Sequence, residues 1–165
     1  MILIFCGGWK ISDHEPAVMD SETVVISATV SEKNDIVSND EIEMLAKMVY
    51  GEALVTNSDT EMSACAWVVL NRLDSGRFGG SISDVITAPC QFFGYRADNP
   101  IDERVLALCE DVVERWIDEK SGSSCGRTLP ADYLYFWGDG RHNHFTMGYG
   151  DENDWDWSLE SPYDN

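Results

Sequence analysis

The chain has few basic residues and no long apolar run, and each absence excludes a class of function. Its 165 residues contain 11 Lys and Arg against 30 Asp and Glu, so the formal charge is −19. Because a polyanion would repel such a surface, a general role in binding nucleic acids or anionic membranes is excluded. No stretch approaches the roughly 18 consecutive apolar residues of a membrane span, so stable insertion is not expected.

A secretory leader and paired cysteine motifs are also lacking. The opening segment MILIFCGGWK has no basic residue before its short apolar run, so we expect a protein made for the cytosol, or exported by means this sequence does not encode. The five cysteines have no CxxC spacing. Cys65 and Cys109 fit helical patterns and are predicted to be reduced core thiols, whereas a bridge between Cys90 and Cys125 stays open.

Familiar catalytic and cofactor fingerprints are absent from the sequence. There is no G-x-S-x-G, Walker A, H-E-x-x-H or Rossmann pattern. The acidic segment 151–156 lacks the glycine that a calcium-binding EF-hand loop requires. His142 and His144 have a spacing that presents two imidazoles on one side of a strand, but no third ligand is defined. We therefore predict no metal and no cofactor, with a histidine-ligated hydrolase as a minor alternative.

What the chain does contain is enough apolar sequence for one domain with a proper core. Hydrophobic residues make up 44% of it. We expect the domain to span residues 38–147, preceded by an N-terminal arm (1–37) with a β-like run at 23–30. An acidic tail (148–165) follows, which either docks through its tryptophans or stays free. The oligomeric state expected is a monomer.

The segment NDEIEMLAKMVYGEALV (39–55) is predicted to be an amphipathic helix. Ser38 and Glu41 have capping-box spacing, and apolar residues then recur at helical intervals. Glu52 falls at the edge of this apolar stripe. A carboxyl group placed there is partly desolvated, which raises its pKa and suits it to act as a general acid. The alternative is that Glu52 turns to solvent or pairs with an arginine.

Two further long helices are predicted, with a short helix over Ser81 to Thr87 between them. The first contains MSACAWVVLNRL (62–73), opens at Ser58 and is apolar on all sides, so it should form the buried centre. Arg72, near its end, is expected to reach solvent. The second should begin with Asn99 as N-cap and Pro100 in its first turn.

The segment 133–146 is predicted to be a β-hairpin. Pairing Trp137 with Arg141 places Tyr135, Trp137 and Asn143 on one face. Aromatic rings beside amides suit sugars, whose C–H faces pack on rings while their hydroxyls meet amides. A face packed into the core explains the same pattern equally well.

Several segments together resemble the SleB-type cell wall hydrolases, which include spore cortex-lytic enzymes. The similarity covers about residues 38–147, with the pieces in the family's order. They are LAKMVYGEA (45–53), AWVVLNRL (66–73), RFGGSISDVITAPCQF (77–92), LYFW (134–137) and Asn143-His144-Phe145. The chain departs from the family pattern in LVTNSDTEMS (54–63), just after Glu52.

The resemblance implies a mainly helical α+β domain of the lysozyme-like, lytic-transglycosylase-related kind, with a small antiparallel hairpin or sheet. It implies that Glu52 is the catalytic acid. Substrate-binding residues are predicted in the loop around position 91 and in the hairpin: Gln91, Phe92, Tyr135, Asn143 and His144.

The function expected is cleavage of the β-1,4 bond between N-acetylmuramic acid and N-acetylglucosamine in peptidoglycan. A conventional glycosidase needs a second positioned carboxylate, and the matched body offers no convincing one. Together with the resemblance, this favours a lytic transglycosylase. A non-catalytic glycan-binding or structural protein of a virion or wall is the alternative. A phage lysin, a virion-borne enzyme and part of a longer secreted protein all fit the sequence.

Overall fold

The computed structural model describes residues 36–152, 155 and 159–163. This part of the chain contains four α-helices, one 3₁₀ turn (Leu54–Thr56) and one antiparallel sheet of two strands, which confirms the predicted mainly helical α+β architecture. The elements in chain order are α1 (Asn39–Ala53), α2 (Asp59–Ser75), α3 (Ile82–Thr87), α4 (Glu103–Lys120), β1 (Tyr135–Gly138) and β2 (Asn143–Thr146). The β-like run predicted at 23–30 lies outside the described residues.

Helix α1 begins where its sequence predicts. The Ser38 hydroxyl accepts the N–H of Glu41 at 3.3 Å, and the Glu41 carboxylate accepts the N–H of Ser38 at 3.4 Å, so the capping box is complete. Leu45 and Val49 are fully buried and fix the inner face of the helix.

Helix α2 is the centre of the domain, and α1, α3 and α4 pack around it. Every residue from position 60 to position 72 is buried. The helix ends at Gly76, which has a φ of 65° and supplies the left-handed turn favoured after a helix. Cys65 and Cys109 are buried free thiols, as predicted, and Cys90 and Cys125 are free as well.

Helix α4 begins later than predicted. Its N-cap is Asp102, whose carboxylate accepts the N–H groups of Arg104 and Val105 at 3.0 and 3.1 Å. Asn99 was the expected cap, but its amide donates to the carbonyls of Lys47 and Gly94. Asn99 therefore makes tertiary hydrogen bonds and does not cap α4, although its local sequence favours capping.

The hairpin is present, but its predicted register is wrong. Trp137 pairs with His144 and not with Arg141. The strands are joined by a four-residue turn, in which Asp139 accepts two backbone N–H groups at 2.8 Å. Moving the partner from position 141 to position 144 is an odd shift, which reverses the two faces. Asn143 consequently lies on the face opposite Trp137.

Glu61 on α2 holds this hairpin against the helical core through hydrogen bonds. Its side chain is only 6% exposed, and it accepts the N–H of Asn143 at 2.9 Å and bonds Nδ1 of His142 at 2.8 Å. Ser58 does cap the N–H of Glu61, as its spacing predicts. The Glu61 carboxyl group itself bonds the hairpin, because a buried polar group needs hydrogen-bond partners on the elements packed against it.

The described residues of the C-terminal segment contact the body. Trp155 packs edge-to-face on Phe145, with ring centroids 4.4 Å apart. Tyr163 donates from its hydroxyl to Asp111 on α4. Among the helices described, none has the length and apolar character needed to cross a membrane.

The His142–Glu61 pair predicts a pH-dependent contribution to stability. The hydrogen bond to Glu61 and its charge raise the pKa of His142 above its ordinary value of 6.5. A raised pKa in the folded state stabilises the protein fully below about pH 6.5, and the contribution is lost as pH rises through the folded value. We expect the Tm difference between wild type and His142→Gln to shrink between about pH 6 and about pH 9.

Circular dichroism melts across this range measure that difference. Since both proteins share every other titrating group, the subtraction isolates His142. A Tm difference that stays constant with pH would contradict the pairing.

Candidate active site

A cavity of about 1070 Å³ opens between the end of α1 and the hairpin. The loop of residues 88–95, here called the Gln91 loop, borders it on one side, and residues 149–152 border it on another. The end of α2 and Phe78 complete the lining, so the site is assembled from parts of the chain between positions 52 and 152. Its lining includes three acidic residues, one arginine and several aromatic rings.

Glu52 lies in the last turn of α1 and its side chain lines this cavity. It is half-buried, and burial raises the pKa of its carboxyl group, as the helical pattern predicts. The N–H of Gly94, which donates to Oε1 at 2.5 Å, and the charge of Arg96 act in the opposite direction. The net effect is a raised pKa, which is the condition for a proton donor near neutral pH.

Two glycines bring the Gln91 loop into direct backbone contact with α1. A Cβ on Gly51 would lie 2.0 Å from the carbonyl oxygen of Gly94, and one on Gly94 would lie 2.3 Å from that of Gly51. The amide of Asn99 bonds both the loop and α1, at Gly94 and Lys47. This close approach is what allows the Gly94 N–H to reach the Glu52 carboxylate.

Arg72 is the main residue that sequence reasoning misplaced. It was expected to reach solvent, but it is 4% exposed and lines the cavity. Its guanidinium donates to the carbonyl of Leu134 at 2.7 Å and to Oε1 of Gln91 at 3.0 Å. The clue in the sequence was its position at the end of a helix that is apolar on all sides, where the surroundings are protein and not water.

Aromatic side chains form much of the cavity wall. Tyr135 and Trp137 contribute from β1, and Phe93 and Tyr149 contribute from the loops. Three of these rings are unusually open to solvent, since Phe93 is 76%, Trp137 49% and Tyr149 89% exposed. Large exposed rings around a cleft are typical of surfaces that bind a ligand.

The structure brings Gln91 and Tyr135 of the predicted substrate-binding set into the cavity lining. Phe92, Asn143 and His144 are not among the lining residues. Phe92 is 7% exposed and packs on Phe136, with ring centroids 6.1 Å apart.

Asn143 and His144 each contact a residue that lines the cavity. The amide of Asn143 donates to the backbone carbonyl of Glu52 at 3.3 Å, which ties β2 to the end of α1. His144 stacks on Trp137, with ring centroids 4.1 Å apart, and its Nε2 bonds Asp139 at 3.0 Å. One face of the Trp137 ring is therefore covered.

Two further carboxylates line the cavity, and no sequence pattern predicts their proximity to Glu52. Asp151 and Glu152 lie in the segment that follows β2, and both are exposed. Both belong to the segment predicted to be an acidic tail. No local pattern in the sequence predicts that this segment lines the cleft.

The two histidines considered as metal ligands are engaged separately. His142 lies in the turn and bonds Glu61, whereas His144 lies in β2 and bonds Asp139. In the described part of the chain, no three His, Cys, Asp or Glu side chains are grouped so as to hold a metal ion.

The glycine contact predicts that Gly94→Ala destabilises the protein. The new Cβ would lie 2.3 Å from the Gly51 carbonyl oxygen, and overpacking of this kind costs about 1–3 kcal/mol, or several degrees in Tm. Gly80→Ala is the matched control, because its Cβ meets nothing closer than Asp84 at 3.7 Å. Thermal melts of both variants test this, and equal Tm values would contradict the backbone contact.

Comparison with protein families gives a match over residues 56–151 to the family described as cell wall hydrolase. The match covers more than half of the chain and includes α2, the Gln91 loop and the hairpin; it begins four positions after Glu52. Comparisons with curated proteins and with solved structures found no match. The helices and small sheet agree with the predicted lysozyme-like fold. The chain therefore belongs to the cell wall hydrolase family.

Proposed function

We propose that this protein cleaves the β-1,4 bond between N-acetylmuramic acid and N-acetylglucosamine, with Glu52 as general acid and then general base. Membership of the cell wall hydrolase family supports peptidoglycan hydrolysis as the broad activity. The likeness to SleB-type enzymes is a finer resemblance and belongs to this proposal.

The observation that carries the proposal is the position of Glu52. Its carboxyl group is half-buried in a large cleft, and burial raises its pKa. It also lies at the C-terminal end of α1, where the helix dipole disfavours a negative charge. The N–H of Gly94 holds one carboxyl oxygen, and we assign the donated proton to the other oxygen.

The walls of the cleft suit a sugar polymer. Rings of Trp137, Tyr149 and Phe93 offer apolar faces for sugar C–H groups, and the Gln91 amide offers hydrogen bonds for hydroxyl or acetamido groups. We assign Phe92, Asn143 and His144, which lie outside the lining, to positioning roles. His144 holds Trp137, Asn143 holds the end of α1, and Phe92 packs beside Phe136.

The mechanism we favour is that of a lytic transglycosylase. Glu52 donates its proton to the glycosidic oxygen, and the bond between that oxygen and C1 of muramic acid breaks. The 6-hydroxyl oxygen of the same sugar bonds to C1, and its proton passes to the Glu52 carboxylate. The product is a 1,6-anhydro sugar, no water is consumed, and Glu52 is restored to its acid form.

Muramidase-type hydrolysis is the second candidate, because Asp151 and Glu152 also line the cleft. A second carboxylate could serve as nucleophile or activate water. We prefer the transglycosylase because a nucleophile must be held in a fixed position, whereas both of these acids are exposed and lie outside the helices and strands. A non-catalytic glycan-binding role would make no use of the raised pKa of Glu52.

Replacing Glu52 with Gln is expected to reduce muropeptide release from purified sacculi by at least about 100-fold, because the amide cannot donate the proton. The fold should persist, since Gly94 can still donate to the amide oxygen. Glu43→Gln is the matched control, because Glu43 is exposed on the same helix. Release by Glu52→Gln at the control's rate would disprove the role of Glu52.

The mass of the products separates the two mechanisms. We expect fragments lighter by one water than hydrolytic products, as the anhydro ring requires. The double variant Asp151→Asn, Glu152→Gln should still form them, because the proposed mechanism needs only Glu52. Mass spectrometry that shows hydrolytic products, together with loss of activity in the double variant, would establish the muramidase instead.

A further inference from the structure

Arg96 directly follows the Gln91 loop and holds the last turn of that loop together. Its Nη1 donates to the carbonyl of Phe93 at 2.6 Å and to the carbonyl of Tyr95 at 2.8 Å. These two carbonyls flank Gly94, whose N–H bonds the Glu52 carboxyl group. The guanidinium therefore links the backbone on both sides of the residue that contacts the proposed general acid.

The chain around Arg96 is fixed to α1 as well. The Arg96 carbonyl accepts the N–H of Asn99 at 3.1 Å, and the Asn99 amide donates to the carbonyls of Gly94 and Lys47 at 2.9 and 3.0 Å. Lys47 donates from Nζ to the carbonyl of Ala97 at 3.1 Å. The exposed side chain of Arg96 thus projects from a backbone that is tied to the helix carrying Glu52.

The charge of Arg96 opposes the effect of burial on Glu52. Burial raises the pKa of the Glu52 carboxyl group, whereas the Gly94 N–H and the positive charge of Arg96 lower it. Arg96 contributes to both lowering effects, because it supplies the charge and also braces the turn that carries the N–H. A half-buried acid without such partners would hold its proton too firmly to donate it readily.

Other titratable groups around Glu52 come from four parts of the chain. They are Cys65 and Arg72 of α2, Cys90 of the Gln91 loop, Tyr135 of β1, and Tyr149, Asp151 and Glu152 beyond β2. Arg72 also carries a positive charge, but its hydrogen bonds go to Leu134 and Gln91. Arg96 is the cation whose charge lowers the pKa of Glu52. A substitution at position 96 leaves all the other groups in place, so it isolates the effect of this one charge.

We propose that Arg96 is a positioning residue for the reaction, which directs the Gly94 N–H at Glu52 and stabilises the carboxylate that Glu52 becomes when its proton passes to the glycosidic oxygen. The inference rests on the proposed function. In the mechanism favoured above, this carboxylate then accepts a proton from the 6-hydroxyl group. Burial and the dipole at the C-terminal end of α1 both disfavour the carboxylate, and Arg96 offsets them.

Arg96 acts through Glu52 and not on the sugar. It is not among the residues that line the cavity, whereas its hydrogen bonds and its charge both bear on the Glu52 carboxyl group. Its removal should therefore change how Glu52 ionises, which is a property that a merely structural residue would leave unaltered.

Arg96→Gln tests the proposal, because it removes the charge and keeps a side chain that can form hydrogen bonds. Without the positive charge the carboxylate is less favoured, so the pKa of Glu52 rises. A general acid loses activity as it ionises, so the high-pH limb of muropeptide release should move to higher pH. The rate below that limb should fall by about tenfold, because the acid is weaker and less firmly held. A purely structural role predicts a lower rate with the limb unmoved.

Arg96→Lys and Arg141→Gln are the matched controls. Lysine keeps the charge, so the high-pH limb of Arg96→Lys should coincide with that of wild type. Arg141→Gln removes an equal charge from an exposed position that acts on His142, so its rate and its limb should both match wild type. Because Arg96 is exposed, salt screens its charge, and the limbs of wild type and Arg96→Gln should approach each other between about 20 mM and about 500 mM salt.

Carboxyl-carbon NMR gives a readout that does not depend on activity. The Glu52→Gln variant identifies the Glu52 signal, and its titration midpoint should lie at higher pH in Arg96→Gln than in wild type. Equal midpoints, or a difference that salt does not reduce, would overturn the inference. Arg96→Met removes the same charge and takes the place of Arg96→Gln if that variant does not fold. Failure of the proposed function would appear separately, as muropeptide release by Glu52→Gln, whatever the midpoints are.

Discussion

The backbone contact between Gly51 and Gly94 is the constraint on which the cleft depends. Neither position has room for a Cβ, so the Gln91 loop lies directly on the end of α1. This proximity lets one backbone N–H hold the Glu52 carboxyl group while the cleft side stays open. A general acid needs burial to keep its proton and a fixed direction in which to deliver it. The burial of Glu52 and the fixed direction of its carboxyl group depend here on Gly51 and Gly94 having no side chain.

Local signals in the sequence predicted the helices well. The pair Ser38 and Glu41 located the start of α1, and Ser58 located the start of α2, because each acts within one helical turn. The raised pKa of Glu52 was also predictable, since its place beside an apolar stripe follows from helical periodicity alone. Its catalytic role remains a proposal.

Features set by distant contacts were not predictable. Asn99 has a good capping sequence, but its side-chain amide donates to the carbonyls of Lys47 and Gly94. Asp102 caps α4 instead. The hairpin register depends on how Asp139 organises the turn, and a single odd shift moved Asn143 to the other face. The placement of Arg72, Asp151 and Glu152 around one cavity likewise needs tertiary structure, because no local spacing encodes it.

The cleft draws on segments that run from position 52 to position 152. During synthesis, the end of α1 leaves the ribosome about 100 residues before the last lining segment. A chain that ends before position 149 therefore lacks the last lining segment of the groove. The groove of this member of the cell wall hydrolase family can therefore be complete only after position 152 has been synthesised.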